Sequence, residues 1–263
     1  MSVINKNTAK VALVDFAKAD KGNFWRKKLI NLYYKWEALG NIKEYQVVYY
    51  EIPWSEKAFL QMDLEKQRHI LIKILKNAKK LGCVICGLPM HWRLILSGNN
   101  LIEIPCGKDL ALEISLWELE KLVDDLANKK IAVLGVDDRS AKLATDKILN
   151  SGGQLLLTGK KAQSLADWYY RNEGLAIPVF RTDKTCEAAD AIFSLNGSVF
   201  GKYENQTVVL KDKRVRIKGE WNEPFVSGMF SCGLAAALIM AGGEIAKTEE
   251  SNLKDKIPKQ KIC

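Results

Sequence analysis

The sequence predicts an α/β protein of two lobes, and three observations predict it. Short apolar or β-branched runs alternate with amphipathic stretches along most of the 263 residues. The spacing leaves room for a helical crossover between successive strands, which implies parallel pairing. The composition, 48% hydrophobic and 27% charged with seven Trp, is that of a chain that buries a core.

The elements follow in order. Val11 to Phe16 is a compact apolar strand, and Trp25 to Leu39 an aromatic-rich helix ended by Gly40. Tyr45 to Ile52, β-branched and aromatic, is a strand. Leu64 to Leu81 sets Leu71, Ile74, Leu75, Ala78 and Leu81 at helical spacing with Lys and Arg opposite, and a strand through Cys83 follows. Gly87 to Asp109 is irregular and holds Pro89, His91, Trp92, Pro105 and Gly107. Leu112, Leu116, Leu119, Val123 and Leu126 then mark one face of a long bridging helix. The expected division is an N-terminal lobe over 1–128, a second lobe over 129–247, and a disordered basic tail over 248–263 with Lys254, Lys256, Lys259 and Lys261.

In the second lobe, Ile131 to Gly135 is a strand and Ser140 to Leu149 a helix. Gln154 to Thr158 is the next strand, and a helix carries Leu165, Trp168 and Tyr169. Ile177 to Phe180, Ala191 to Leu195, Val208 to Leu210 and Val215 to Ile217 read as further strands. An apolar helix from Met229 to Met240 ends at Gly242-Gly243. The expected architecture is a parallel sheet with helices on both faces.

Several function classes are set aside on composition. No apolar run approaches the roughly 20 residues that span a bilayer, and polar Met1 to Lys10 gives no signal peptide, so a cytoplasmic protein is expected. The net charge of +9 invites an acidic partner, but no nucleic-acid-binding motif accompanies it, and nucleic acid is not expected. Cys83 and Cys86 form a C-x-x-C inside an apolar strand. Three residues apart on a regular strand they point to opposite faces, so they are read as core thiols and no metal is expected.

Gly135-Val-Asp-Asp-Arg-Ser140 stands where a Rossmann-like domain places its phosphate-binding loop. The first glycine is present, but Asp137 takes the second glycine position and Ser140 the third. Asp137 and Asp138 would compete for the helix N–H groups and repel a diphosphate, an effect that Arg139 offsets in part. The end of the next strand, Thr158-Gly-Lys-Lys161, carries two cations where NAD-preferring proteins carry an acid. A 2′-phosphate suits Lys160 and Lys161, which points to NADP; the other reading is a basic, solvent-facing helix start. Gly135, Arg139, Ser140, Lys160, Lys161 and Asn196, just past the 191–195 strand, are the candidate cofactor-binding residues.

Four segments together resemble the long-chain acyl-carrier-protein reductases, a branch of the shikimate-dehydrogenase-like Rossmann proteins. They are Ala78 to Pro89, Ile104 to Ala111, the Gly135 loop with its strand and helix, and Gly228 to Ile239. The resemblance covers roughly residues 70 to 245 and implies an NADPH-dependent reductase whose cysteine accepts the acyl group. The segment matching that cysteine, Arg214 to Trp221, has no Cys, so acyl transfer to a thiolate does not carry over. Cys232 matches a cysteine of the family's last helix and is read as structural. Lys108 and Asp109 sit at the turn that faces the cleft in the resembling fold. They are candidates for an acid–base pair on substrate, the alternative being a helix start capped by Asp109. His91 is the other titratable group there. The expectation is an NADP-dependent oxidoreductase with a small-molecule or acyl substrate bound between the lobes and an acidic carrier protein as partner. The alternative is a non-catalytic binding or regulatory protein derived from that family.

Overall fold

A computed structural model describes residues 8–17, 35–89, 92, 94–96, 98, 101–136, 139–197 and 201–246. The chain opens with strand β1 (Lys10–Phe16), and an antiparallel pair follows, β2 (Glu37–Ile42) and β3 (Tyr45–Ile52). Helices α1 (Glu56–Leu60) and α2 (Leu64–Lys80) lead into β4 (Cys83–Gly87). After the short 3-10 turn Leu94–Leu96 comes α3 (Gly107–Leu122). Then β5 (Lys130–Leu134), α4 (Arg139–Asn150), β6 (Gln154–Thr158), α5 (Ala162–Glu173), α6 (Thr182–Glu187), β7 (Ala191–Ser194) and β8 (Thr207–Val209) alternate. The chain closes with the hairpin strands β9 (Arg214–Arg216) and β10 (Met229–Ser231) and helix α7 (Cys232–Met240).

The chain divides into two compact units, one of residues up to Leu110 together with those from Asp212 onward, the other Ala111–Lys211. This differs from the expected boundary near 129 and from an uninterrupted second lobe. The reason lies in α7, whose sequence is apolar all round and therefore needs burial on every side. Gly87 on β4 supplies one wall: a Cβ there would lie 3.0 Å from Leu234 Cα and 3.0 Å from Ala237 Cβ. The chain from Asp212 onward thus completes the first unit.

The first unit's sheet runs β2-β3-β1-β4, with β1 parallel to both β3 and β4 and β2 antiparallel to β3. Its two faces are covered differently. Ala12, Val14, Val48, Tyr50 and Ile52 face the apolar stripe of α2, where Ile70, Leu71, Ile74, Leu75 and Ala78 are buried. Asp63 starts that stripe, accepting the Lys66 N–H at 2.7 Å as a helix cap. Leu13 lies on the opposite face with Gly87, on the α7 side.

Two expected features of this unit differ. Residues 37–39 are strand rather than the end of a helix, because Glu37 and Ala38 pair with Tyr49 and Val48 of β3; residues 25–34 lie outside the described residues. Cys83 and Cys86 share a face instead of opposing each other. The β1–β4 register passes from Lys10 opposite Cys83 to Val11 opposite Ile85, so Val84 is bulged out and the alternation slips by one. Both thiols are free, buried, and part of the α2-side core.

The second unit's sheet is wholly parallel, in the order β6-β5-β7-β8. Strands β5 and β6 read Lys-Ile-Ala-Val-Leu and Gln-Leu-Leu-Leu-Thr, exposed only at the first residue, as strands covered by helices on both faces must be. Ala141, Ala144 and Ile148 form the buried stripe of α4. The expected strand at 177–180 is reduced to one parallel bridge between Val179 and Leu157. The 215–217 strand belongs to the first unit, pairing with β10, and α7 starts at Cys232 because 229–231 are that partner strand. Helix α3 ends at Leu122, short of Val123 and Leu126, where Asp124 turns the backbone at φ 62°. The expected tail over 248–263 lies outside the described residues.

Candidate functional site

In the second unit, β6 lies on one side of β5 and β7 on the other, so the chain reverses its winding at β5. In open α/β sheets such a switch point leaves a crevice beyond the strands' carboxyl ends, where ligands bind. Three segments converge there. Gly135 follows β5, Gly159-Lys160-Lys161 follow β6, and Leu195-Asn196 follow β7.

Gly135 and Asn196 meet directly. Gly135 holds φ 77°, and a Cβ on it would lie 2.7 Å from Asn196 Cβ and Cγ. A side chain is therefore excluded twice, by backbone conformation and by space. The Asn196 amide is oriented from below, since Ser194 Oγ donates to Asn196 Oδ1 at 3.1 Å and Ser194 is fully buried.

The β6 end is stitched to the β5 end. The Val136 N–H donates to the Thr158 carbonyl at 3.1 Å, and the Lys161 N–H to the Val136 carbonyl at 2.9 Å. Gly159 lets this happen, for a Cβ there would stand 2.3 Å from Val136 N. The stitch fixes where Lys160 and Lys161 stand: both are exposed, and Lys161 is the N-cap of α5 without any side-chain cap bond. A cation at a helix N-terminus opposes the macrodipole, so this corner gathers positive charge from side chains and backbone alike.

The remaining expected residues are placed as follows. Ser140 is buried in the first turn of α4, and Arg139 opens that helix with a side chain outside the described residues, as are Asp137 and Asp138. Lys108 and Asp109 are consecutive in the first turn of α3, which begins at Gly107. Asp109 is therefore not the N-cap but an acid inside the first turn, favourable to the dipole. Neighbours on a helix do not face each other, so α3 does not bring the two together as a pair. His91 lies outside the described residues.

One group in the first unit was not anticipated. Asp15, near the end of β1, has its carboxyl pushed up to about 6, first by burial and then by the Glu56 and Asp212 carboxylates, against the Phe16 N–H and Arg214. The signal was present in the sequence as a lone acid inside the apolar run Val-Ala-Leu-Val-Asp-Phe.

No family profile matches the chain, and no curated protein matches it in sequence. Solved structures resemble it weakly. Shikimate dehydrogenase from Aquifex aeolicus is 15% identical at a TM-score of 0.39, with 76% of this chain and 74% of that one covered. L-tryptophan dehydrogenase from Nostoc punctiforme is 11% identical at 0.34, with 76% and 62% covered. A putative aspartate carbamoyltransferase from Trypanosoma cruzi is 10% identical at 0.33, with 79% and 71% covered. The chain thus spans less than two thirds of the tryptophan dehydrogenase. Such values assign neither a family nor an activity.

No helix among the described residues is long and apolar enough to cross a membrane.

Proposed function

We propose that the protein is an NADP-dependent oxidoreductase whose nucleotide is held at the carboxyl edge of the second unit's sheet. The observation that supports this reading is the exposed Lys160–Lys161 pair at the uncapped start of α5, directly beyond β6. Across α/β sheets of this winding the end of the second strand meets the adenosine ribose, and two cations there suit a 2′-phosphate. The fit extends to the β5 side, where the Asn196 side chain lies against Gly135 and brings a polar amide to the crevice. When bound, the nucleotide supplies or accepts a hydride. Lys160 and Lys161 neutralise phosphate, Asn196 meets a polar group near the crevice, and the first turn of α4 with Arg139 and Ser140 flanks the phosphates. The substrate in this reading is a small or acyl molecule, and the net charge of +9 favours its delivery on an acidic carrier protein.

The test is the melting temperature with NADPH, NADP, NADH and NAD. At 100 times its dissociation constant a ligand stabilises the fold by about 2.7 kcal/mol. The expected result is a shift with the phosphorylated pair alone, abolished in a Lys160→Glu, Lys161→Glu double variant that melts normally without ligand. No shift with any of the four refutes the reading. Binding without turnover across a panel of carbonyl and acyl substrates favours the non-catalytic alternative.

A further inference from the structure

Strand β7 reads Ala-Ile-Phe-Ser with every residue buried, so its last position sets a hydroxyl where the pattern asks for an apolar side chain. A buried hydroxyl costs free energy unless it is hydrogen-bonded, and Ser194 is fully buried. Its backbone is held from both sides. The Leu210 N–H donates to the Ser194 carbonyl at 2.8 Å, and the Leu195 N–H to the Leu134 carbonyl at 2.9 Å. The hydroxyl therefore leaves from a fixed point of the sheet, and it donates to Asn196 Oδ1 at 3.1 Å.

Asn196 is fixed at a second point. Its side chain fills the space that Gly135 leaves: a Cβ there would lie 2.7 Å from Asn196 Cβ and Cγ and 3.0 Å from Nδ2. The amide is thus laid against the Gly135 backbone, while Asn196 as a whole is exposed beyond the end of β7. An amide has an acceptor end and a donor end. With Oδ1 turned down to the Ser194 hydroxyl, Nδ2 is the end offered to the crevice. One steric contact and one hydrogen bond hold a single orientation of a side chain that turns over freely on an open surface.

A fixed neutral donor suits an acceptor oxygen, and its position says which. Gly135 directly follows β5, and α4 begins at Arg139. In sheets of this winding the diphosphate of a dinucleotide belongs over that turn, at the start of the helix. The sequence places Asp137 and Asp138 in the same turn, so a donor brought in from β7 offsets their repulsion of phosphate.

We propose that Asn196 Nδ2 donates to a phosphate oxygen of the nucleotide's diphosphate, and that Ser194 is the positioning residue that keeps this donor turned outward. The pair's role rests on the nucleotide reading of the second unit and divides the labour within it. Lys160 and Lys161 meet the 2′-phosphate, and Asn196 meets the diphosphate. Ser194 touches no ligand and acts only through Asn196.

The experiment measures binding of NADPH and of adenosine 2′-monophosphate, which has no diphosphate, to the full chain by calorimetry. The variants are Asn196→Ala, Asn196→Asp, Ser194→Ala and the Ser194→Ala, Asn196→Ala double, each first shown to melt cooperatively without ligand. Asn196→Ala is expected to weaken NADPH about tenfold, and Asn196→Asp to weaken it further, since a carboxylate then faces phosphate. Ser194→Ala is expected to cost about fivefold alone and nothing once Asn196 is already alanine, the mark of a residue that acts through another. Affinity for adenosine 2′-monophosphate is expected to stay unchanged in all four. Binding of both probes by the wild type with NADPH affinity unmoved in Asn196→Ala overturns this inference alone. So does a Ser194→Ala loss of the same size in both backgrounds, or an equal loss for the two probes. Asn196 is exposed, so its variants decide even if Ser194→Ala fails to fold. A wild type that binds neither probe removes the nucleotide reading itself, and the role of the pair with it.

Discussion

Replacing Asp15 with Asn should make the protein more stable at neutral pH, and the size of the gain follows from the environment of the carboxyl. Its pKa moves from 3.8 to about 6 in the folded chain. A shift of that size corresponds to roughly 3 kcal/mol between the two protonation states, an upper value because solvent reaches the group in part. The folded state holds its proton more tightly than the unfolded one. The contribution to stability is therefore fully present below about pH 3.8 and is lost as pH rises through about 6. Asparagine keeps an oxygen that can accept the Phe16 N–H, now bonded to Asp15 Oδ1 at 2.8 Å, and it cannot ionise. The variant should match the wild type, or fall about 1 kcal/mol below it, at the acid end. It should exceed the wild type by about 2 kcal/mol near pH 8. Urea unfolding of both proteins at half-unit pH steps, with slopes unchanged, reads the difference free of other titrating groups. A difference constant with pH refutes the reasoning, as does one that grows toward acid.

Three further outcomes are expected. Gly107→Ala places a Cβ 2.4 Å from Gly233 Cα and 2.6 Å from Gly233 N, backbone that no rotamer can move; a loss of about 3 kcal/mol or more should appear as a large fall in melting temperature. Gly135→Ala should cost about 2 kcal/mol from left-handed strain and crowding by Asn196, and adding Asn196→Gly should return the crowding part but not the strain, as read by urea unfolding. Burial pushes the Cys83 and Cys232 thiols up to about 12 and Cys86 higher still, so Ellman's reagent at pH 8 should leave all three unlabelled until the chain is unfolded; rapid native labelling would contradict this.

What was legible in the sequence is what local pattern controls. Strand β3 and strand β6 stand where the apolar runs put them, and α2 stops within one residue of its periodic stripe, because side-chain period and burial are the same fact read twice. The Gly159 turn carrying Lys160 and Lys161 was legible for the same reason, following a strand whose end is sharply marked. What escaped was decided by partners distant in sequence. Glu37 to Leu39 continue a helical pattern on their own, yet the edge of β3 offers them a ladder.

The course of the chain after Lys211 shows the same limit in stronger form. The composition of α7 states that it must be buried on all sides, but not against which sheet. The answer lies in three glycines on separate segments: Gly87 opens β4 to Leu234 and Ala237, and Gly107 admits Gly233 at backbone contact. None of these is marked by a motif, since a glycine chosen for close approach looks in sequence like any other. The bulge at Val84 is a similar case, one residue that reverses the face of Cys83 relative to Cys86 without altering the apolar character of the run. Asp15 differs, because its anomaly was local: a carboxylic acid within a strand of buried apolar residues is costly unless something uses it. The apolar run accounts for the burial of its neighbours, and Asp15 is the residue in it that core packing does not account for.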